Sequence, residues 1–100
     1  MKKQIITLII LALLPLVASA DAVEIGGIYY NLVSKAQVAE VTNKPNNYSG
    51  DIIIPEKVIY KGIEYCVNSI GERAFSGAWD MTSVSIPNSI TTIGDFAFYG

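Results

Sequence analysis

Short runs of alternating apolar and polar residues fill most of the chain, the period of half-buried strands rather than of helices. Ile28–Val33 and Gln37–Thr42 are rich in β-branched and aromatic residues, and Ser34-Lys35-Ala36 between them predicts a hairpin. Asn43-Lys44-Pro45-Asn46-Asn47-Tyr48-Ser49-Gly50 reads as a loop, because Pro fixes one dihedral while Asn and Gly tolerate positive φ. Asp51–Pro55 carries the apolar run Ile52-Ile53-Ile54, stopped by a proline that cannot donate to a ladder. Lys57–Tyr60 and Ile63–Asn68 flank Lys61-Gly62, a two-residue turn with glycine second. That register sets Tyr60 against Ile63 and Val58 against Tyr65. One face then collects Val58, Tyr60, Ile63, Tyr65 and Val67, and the other takes Lys57, Lys61, Glu64, Cys66 and Asn68.

The strongest organising feature is an internal repeat. Ser69-Ile70-Gly71-Glu72-Arg73-Ala74-Phe75-Ser76-Gly77 aligns with Thr92-Ile93-Gly94-Asp95-Phe96-Ala97-Phe98-Tyr99-Gly100 at a constant offset of 23 residues, with five of nine positions identical. Ile54-Pro55 and Ile86-Pro87 form a second pair 32 residues apart, the extra nine corresponding to the hairpin inserted between Ile54 and Ile70. A period in this range is that of leucine-rich repeats, whose units bury their apolar side only by stacking on neighbours. Met81-x-x-Val84-x-Ile86 fills the strand positions, and Ile90, Ile93 and Phe98 continue the inward ladder. Gly71 and Gly94 are assigned to turning the corner by backbone freedom. Glu72–Phe75 and Asp95–Phe98 are expected to form one short helical turn each, with Glu72 and Asp95 near its N-terminus.

Met81-Thr82-Ser83-Val84-Ser85-Ile86-Pro87-Asn88-Ser89-Ile90-Thr91-Thr92-Ile93-Gly94-Asp95-Phe96-Ala97-Phe98-Tyr99-Gly100 resembles a unit of the BspA-like leucine-rich repeat family of bacterial surface proteins. Tyr30, Ala39-Glu40-Val41-Thr42, Tyr48-Ser49-Gly50 and Ile54-Pro55 resemble the N-terminal module that opens such arrays. Ala78 departs from the pattern, standing where the family often has cysteine. The resemblance implies a mainly β fold: an N-terminal β-hairpin or capping module over 21–68, leading into a solenoid of 23-residue units that begins at 69–100. Because the sequence stops at Gly100 within a motif, these residues are expected to be part of a longer product.

The first twenty residues stand apart from this pattern. Met1-Lys2-Lys3 is a positive n-region, Ile5–Val17 an apolar core, and Ala18-Ser19-Ala20 a small–x–small cleavage site, so residues 1–20 are read as a signal peptide removed after Ala20. Thirteen apolar positions are few for a membrane-crossing helix, and no membrane span is expected in the mature chain. Loss of Lys2 and Lys3 leaves five cationic against nine anionic side chains, a net charge of about −4. With no clustered basic residues, a nucleic-acid partner is not expected.

The absence of histidine removes Ser-His and Cys–His nucleophilic pairs and histidine metal sites together. Carboxylates at Asp51, Glu56, Glu64, Glu72, Asp80 and Asp95 are spread out, with no convergent pair for acid–base work. No enzymatic role, cofactor or metal is therefore assigned. Cys66 is either a small buried strand residue or half of a disulfide with a cysteine further along a longer chain. Tyr29, Tyr30, Tyr60 and Tyr65 sit in strand segments and are assigned to packing. Trp79 interrupts the repeat between Gly77 and Met81, and Thr82, Ser83 and Ser85 alternate with the inward strand positions, so these four are the candidate ligand-binding residues. The resemblance implies an exported, extracellular or cell-surface binding protein. Its expected role is adhesion to host matrix or other bacterial surface macromolecules, with a protein or glycoconjugate as partner. A structural spacer, or a non-catalytic accessory region of an exported enzyme, is the alternative.

Overall fold

A computed structural model describes residues 22–99, so the expected leader and its cleavage site lie outside the described residues. The described residues contain eight strands and no helix: β1 Val23–Ile25, β2 Ile28–Val33, β3 Val38–Thr42, β4 Gly50–Ile53, β5 Lys57–Tyr60, β6 Ile63–Ile70, β7 Met81–Ser85 and β8 Thr92–Ile93.

Both expected hairpins form. β2 and β3 pair antiparallel with Tyr30 opposite Val41 and Leu32 opposite Ala39. β5 and β6 pair with Tyr60 opposite Ile63 and Val58 opposite Tyr65, turning through Lys61 and Gly62 at φ 51° and 82°. A third hairpin lies ahead of them. β1 pairs with β2 through Gly26-Gly27, whose φ values of 61° and 90° suit the tight turn that matches strand twist. Three residues of β1 are too few for a period to be read, and the double glycine was the available signal.

The repeat offsets reappear as strand register. β6 and β8 run parallel with Ser69 opposite Thr92 and Ile70 opposite Ile93, the 23-residue offset. β4 and β7 run parallel with Ile52 opposite Val84 and Ile53 opposite Ser85, the 32-residue offset. β3 joins the first of these ladders, Val41 lying opposite Ile70, so the larger sheet is ordered β1-β2-β3-β6-β5 with β8 also on β6. Two parallel ladders joined by turns make a leucine-rich-repeat solenoid, capped on one side by antiparallel strands.

The connecting turns differ from the expected helical form. Ala74 N donates to Gly71 O at 3.2 Å and Ala97 N to Gly94 O at 3.3 Å, which are three-residue turn bonds. Arg73 and Phe96, equivalent positions, take φ of 60° and 57°, a left-handed geometry that ends any right-handed turn at once. The backbone groups released in this way bond across coils instead: Arg73 N donates to Asp95 O, Phe75 N to Ala97 O and Gly77 N to Tyr99 O. Glu72 and Asp95 therefore occupy no helix N-terminus.

A third copy of this turn precedes the two legible ones. Asn46-Asn47-Tyr48-Ser49-Gly50 matches Arg73-Ala74-Phe75-Ser76-Gly77. Asn46 is left-handed at φ 67° like Arg73, Gly50 and Gly77 share φ of 72° and 73°, and Asn47 N donates to Lys44 O at 2.8 Å; Asn47 differs from Ala74 in being left-handed as well, at φ 66°. The stretch expected to be a plain loop is thus a coil of the solenoid, with Tyr48 buried. Tyr48, Phe75 and Phe98 stack in a column at centroid separations of 5.0 and 5.2 Å.

The core lies between the two ladders and holds Ile28, Tyr30, Val41, Ile54, Tyr65, Val67, Ile70 and Phe75. Met81, Val84 and Ile90 are partly buried against it, whereas Ile93 and Phe98 of the last described coil remain 50% and 43% exposed. Gly71 and Gly94 have ordinary φ, which corrects the corner-turning role expected of them. A Cβ on Gly94 would meet Glu72 N at 2.6 Å, so glycine is required there for the close approach of one coil to the next.

Candidate binding surface

The outward side of the β4–β7 sheet carries three of the four candidate residues. Thr82, Ser83 and Ser85 are all exposed. The register shifts between Gly50 and Asp51, so that Gly50 faces Met81 while Asp51 already faces Ser83. This irregularity leaves Thr82 and Ser83 sharing one partner. Both hydroxyls donate to Asp51 Oδ1, Thr82 Oγ1 at 2.6 Å and Ser83 Oγ at 2.8 Å. The two donated bonds stabilise the ionised form and hold the Asp51 carboxyl below its ordinary value. Ser85 stands further along the strand, opposite Ile53, which is 73% exposed.

Asp51 is the residue that sequence reasoning missed, having been counted among scattered carboxylates. The signal was present: the 32-residue offset of Ile54-Pro55 and Ile86-Pro87 places Asp51 against Ser83. Trp79 lies outside this cluster, at the corner preceding β7, and is 79% exposed. Its backbone is tied down, since Trp79 N donates to Gly77 O and Met81 N to Ala78 O. Gly50 N donates to Asp80 O at 2.9 Å, joining the tryptophan corner to the start of β4.

Elsewhere, Cys66 is exposed on the polar face of β6, correcting the buried-thiol reading. A groove of about 430 Å³ is lined by Ile25, Ile28, Tyr30, Ile53, Pro55 and Val58, among others. The Tyr30 hydroxyl is buried with no hydrogen-bond partner among the described residues, and burial pushes its pKa up to about 12. No group of three acidic or sulfur ligands suited to a metal occurs among the described residues. Nor is there among them a helix long and apolar enough to cross a membrane.

Residues 51–100 match the model of the BspA type leucine-rich repeat region, the span that begins at Asp51 and includes both legible turns. The chain belongs to this family. Three solved structures share the fold. A leucine-rich repeat protein from Bacteroides capillosus is 31% identical over 77% of this chain and 56% of its own, with a TM-score of 0.66. A leucine-rich cell surface protein from Faecalibacterium prausnitzii is 32% identical over 79% of this chain and 21% of its own, at a TM-score of 0.65. A leucine-rich repeat protein from Bacteroides ovatus is 34% identical over 76% and 20% respectively, at 0.64. The BspA-type chain thus spans about half the length of the first and about a fifth of the other two. No curated protein matches it in sequence.

Proposed function

We propose that this BspA-type chain belongs to an exported surface protein that adheres to host matrix or to other bacterial surface macromolecules. Residues 1–20 direct export and are removed after Ala20, residues 21–68 cap the array, and residues 69–100 begin it. The outward β4–β7 face, with Trp79 at its corner and Thr82, Ser83 and Ser85 along it, makes the contact. One observation carries this reading: the chain turns Met81 and Val84 of β7 toward the core yet leaves its one tryptophan 79% exposed at the corner that leads into an ordered carboxylate–hydroxyl cluster. Large aromatic side chains left in water beside satisfied polar groups are characteristic of contact surfaces. The cell-surface relative from Faecalibacterium prausnitzii supports the location.

The test compares cells displaying the full-length protein with cells displaying W79A or the T82A/S83A/S85A triple variant. Adherence is scored on surfaces coated with matrix protein or bacterial envelope. A loss of adherence in both variants at equal display is expected. Unchanged adherence in both refutes the assignment of this face. Detection with an antibody to residues 21–45 only inside the cell refutes export.

A further inference from the structure

The chemistry of the β4–β7 face narrows what it can hold. Thr82 and Ser83 spend their hydroxyl protons on Asp51 Oδ1, at 2.6 and 2.8 Å. Their lone pairs and the second carboxylate oxygen remain outward as acceptors. The fixed groups of this cluster therefore accept hydrogen bonds, and a matching partner must bring donors. Three residues before Thr82 stands a bare indole: Trp79 is 79% exposed and joins none of the aromatic contacts among the described residues. The chain path limits Trp79 and Thr82, three residues apart, to a Cα separation of about 10 Å. Turn bonds on either side of Trp79, and the Gly50 N to Asp80 O bond, hold this platform in place before anything binds.

Charge restricts the partner further. Asp51 and Asp80 are the charged groups of β4, β7 and the Trp79 corner, and the cations that flank these segments are engaged elsewhere: Lys44 over the Tyr48 ring, Lys57 with Glu64, and Arg73 with Glu72 and over the Phe96 ring. A sialylated, sulfated or phosphorylated partner would meet anions without a compensating cation. A pyranose ring meets every requirement. Its C–H face stacks on an indole, its edge offers several neighbouring hydroxyl donors, and it carries no charge.

Resting on the reading of this face as the contact surface, we propose that its partner is a neutral glycan. One sugar ring stacks on Trp79, and the hydroxyls of that ring or of its neighbour donate to Asp51, Thr82 and Ser83.

The experiment titrates the full-length protein with mannotriose, chitotriose and lactose, and with sialyllactose as the anionic control. Tryptophan emission is followed, and subtraction of the W79F protein isolates the Trp79 signal. The expected result is a saturable emission change with at least one neutral saccharide, and no tighter binding of sialyllactose than of lactose. Titrated by calorimetry, which needs no tryptophan, W79A is expected to weaken binding about tenfold or more, the loss that follows truncation of an aromatic anchor. D51N should weaken it by a smaller factor, because one acceptor oxygen is retained. Silence toward all three neutral saccharides overturns the proposal, as does preference for sialyllactose. If that silence accompanies loss of W79A adherence to protein-coated surfaces, the contact face stands and the glycan falls. If W79A adheres normally as well, both fall.

Discussion

Replacing Gly94 with alanine should destabilise the protein far more than replacing Gly71, although the two occupy the same position of the repeat. Neither has a positive φ, so a general loss of backbone freedom would make the two substitutions alike. The surroundings differ. At Gly94 the added Cβ would lie 2.6 Å from Glu72 N, 2.9 Å from Glu72 Cα and 2.9 Å from Gly71 C. All three are backbone atoms of the preceding coil, which cannot rotate aside, so relief requires the coils to separate. Separation stretches Gly94 N to Ile70 O, now 2.7 Å, and Arg73 N to Asp95 O, now 3.1 Å. Overpacking of a close contact costs about 1–3 kcal/mol and each of the two hydrogen bonds, if lost, about 1 kcal/mol, giving roughly 3–5 kcal/mol for G94A.

At Gly71 the new Cβ meets Glu40 Cδ at 2.9 Å, Glu40 Oε2 at 3.1 Å and Val41 O at 3.1 Å. Glu40 can swing away at the cost of its bond from Asn31 Nδ2, 3.2 Å long and only partly buried. The carbonyl needs to yield by a few tenths of an ångström. About 1 kcal/mol is expected for G71A, the value of one such hydrogen bond. Urea denaturation of the full-length wild type, G71A and G94A measures both costs, read from the transition of the N-terminal region. Equal losses for the two variants, or a G94A protein within about 1 kcal/mol of wild type, would refute the close-approach explanation.

Two tyrosines should respond in opposite directions to loss of the hydroxyl. Tyr48 Oη donates to Thr42 O at 2.7 Å and accepts from Tyr29 N at 3.0 Å, so Y48F leaves two backbone groups unpaired and should cost about 2 kcal/mol in urea unfolding. Tyr30 Oη is buried with no partner among the described residues, and Y30F should gain on the order of 1 kcal/mol. The folded chain keeps the Tyr30 proton up to about pH 12, against 10.0 for an ordinary tyrosine. Its contribution to stability is therefore complete below pH 10 and falls away as pH rises through about 12, a loss that Y30F should remove from the alkaline unfolding curve. Asp51 behaves in the opposite sense: its contribution is present above the ordinary aspartate value and is lost as pH falls through its depressed one. A carboxyl NMR titration should place its midpoint below the ordinary value, and T82V should move that midpoint upward.

What could be read from the chain is what repeats in residue type. The 23- and 32-residue offsets became the parallel registers of β6–β8 and β4–β7, and Lys61-Gly62 fixed the pairing of Val58 with Tyr65. What escaped depends on shape rather than composition. Asn46–Gly50 repeats the left-handed first and last residues of Arg73–Gly77, though not the conformation of its second, while keeping only an aromatic, a serine and a glycine in common. The helical-turn expectation failed because Arg73 and Phe96, residues without a preference for left-handed geometry, sit where the coils bond to one another: Arg73 through its own N–H to Asp95 O, and Phe96 between Asp95 and Ala97, whose carbonyls accept from Arg73 and Phe75. That is tertiary packing overriding local propensity. The 32-residue offset sets Asp51 against Ser83, but not its second partner: Thr82 lies 31 residues away and reaches the same oxygen only because the register shifts by one.

The difference between Tyr48 and the phenylalanines stacked upon it explains how the array begins. Phe75 lies within the column, between Tyr48 and Phe98, and its backbone N–H bonds to Ala97 O of the following coil. The preceding side of the Tyr48 coil offers no such parallel neighbour among the described residues, because the larger sheet continues there as the antiparallel strands β3, β2 and β1. Tyr29 N and Thr42 O, opposite one another in the β2–β3 pair, lie at that seam. A phenylalanine would fill the aromatic column equally well and leave both unpaired. The tyrosine hydroxyl satisfies them with one atom, while its ring supplies the surface on which Phe75 stacks. A single oxygen therefore couples the antiparallel strands to the parallel coils, and the Asn46–Gly50 turn, although least like the consensus in sequence, is the one that has to bond in both directions.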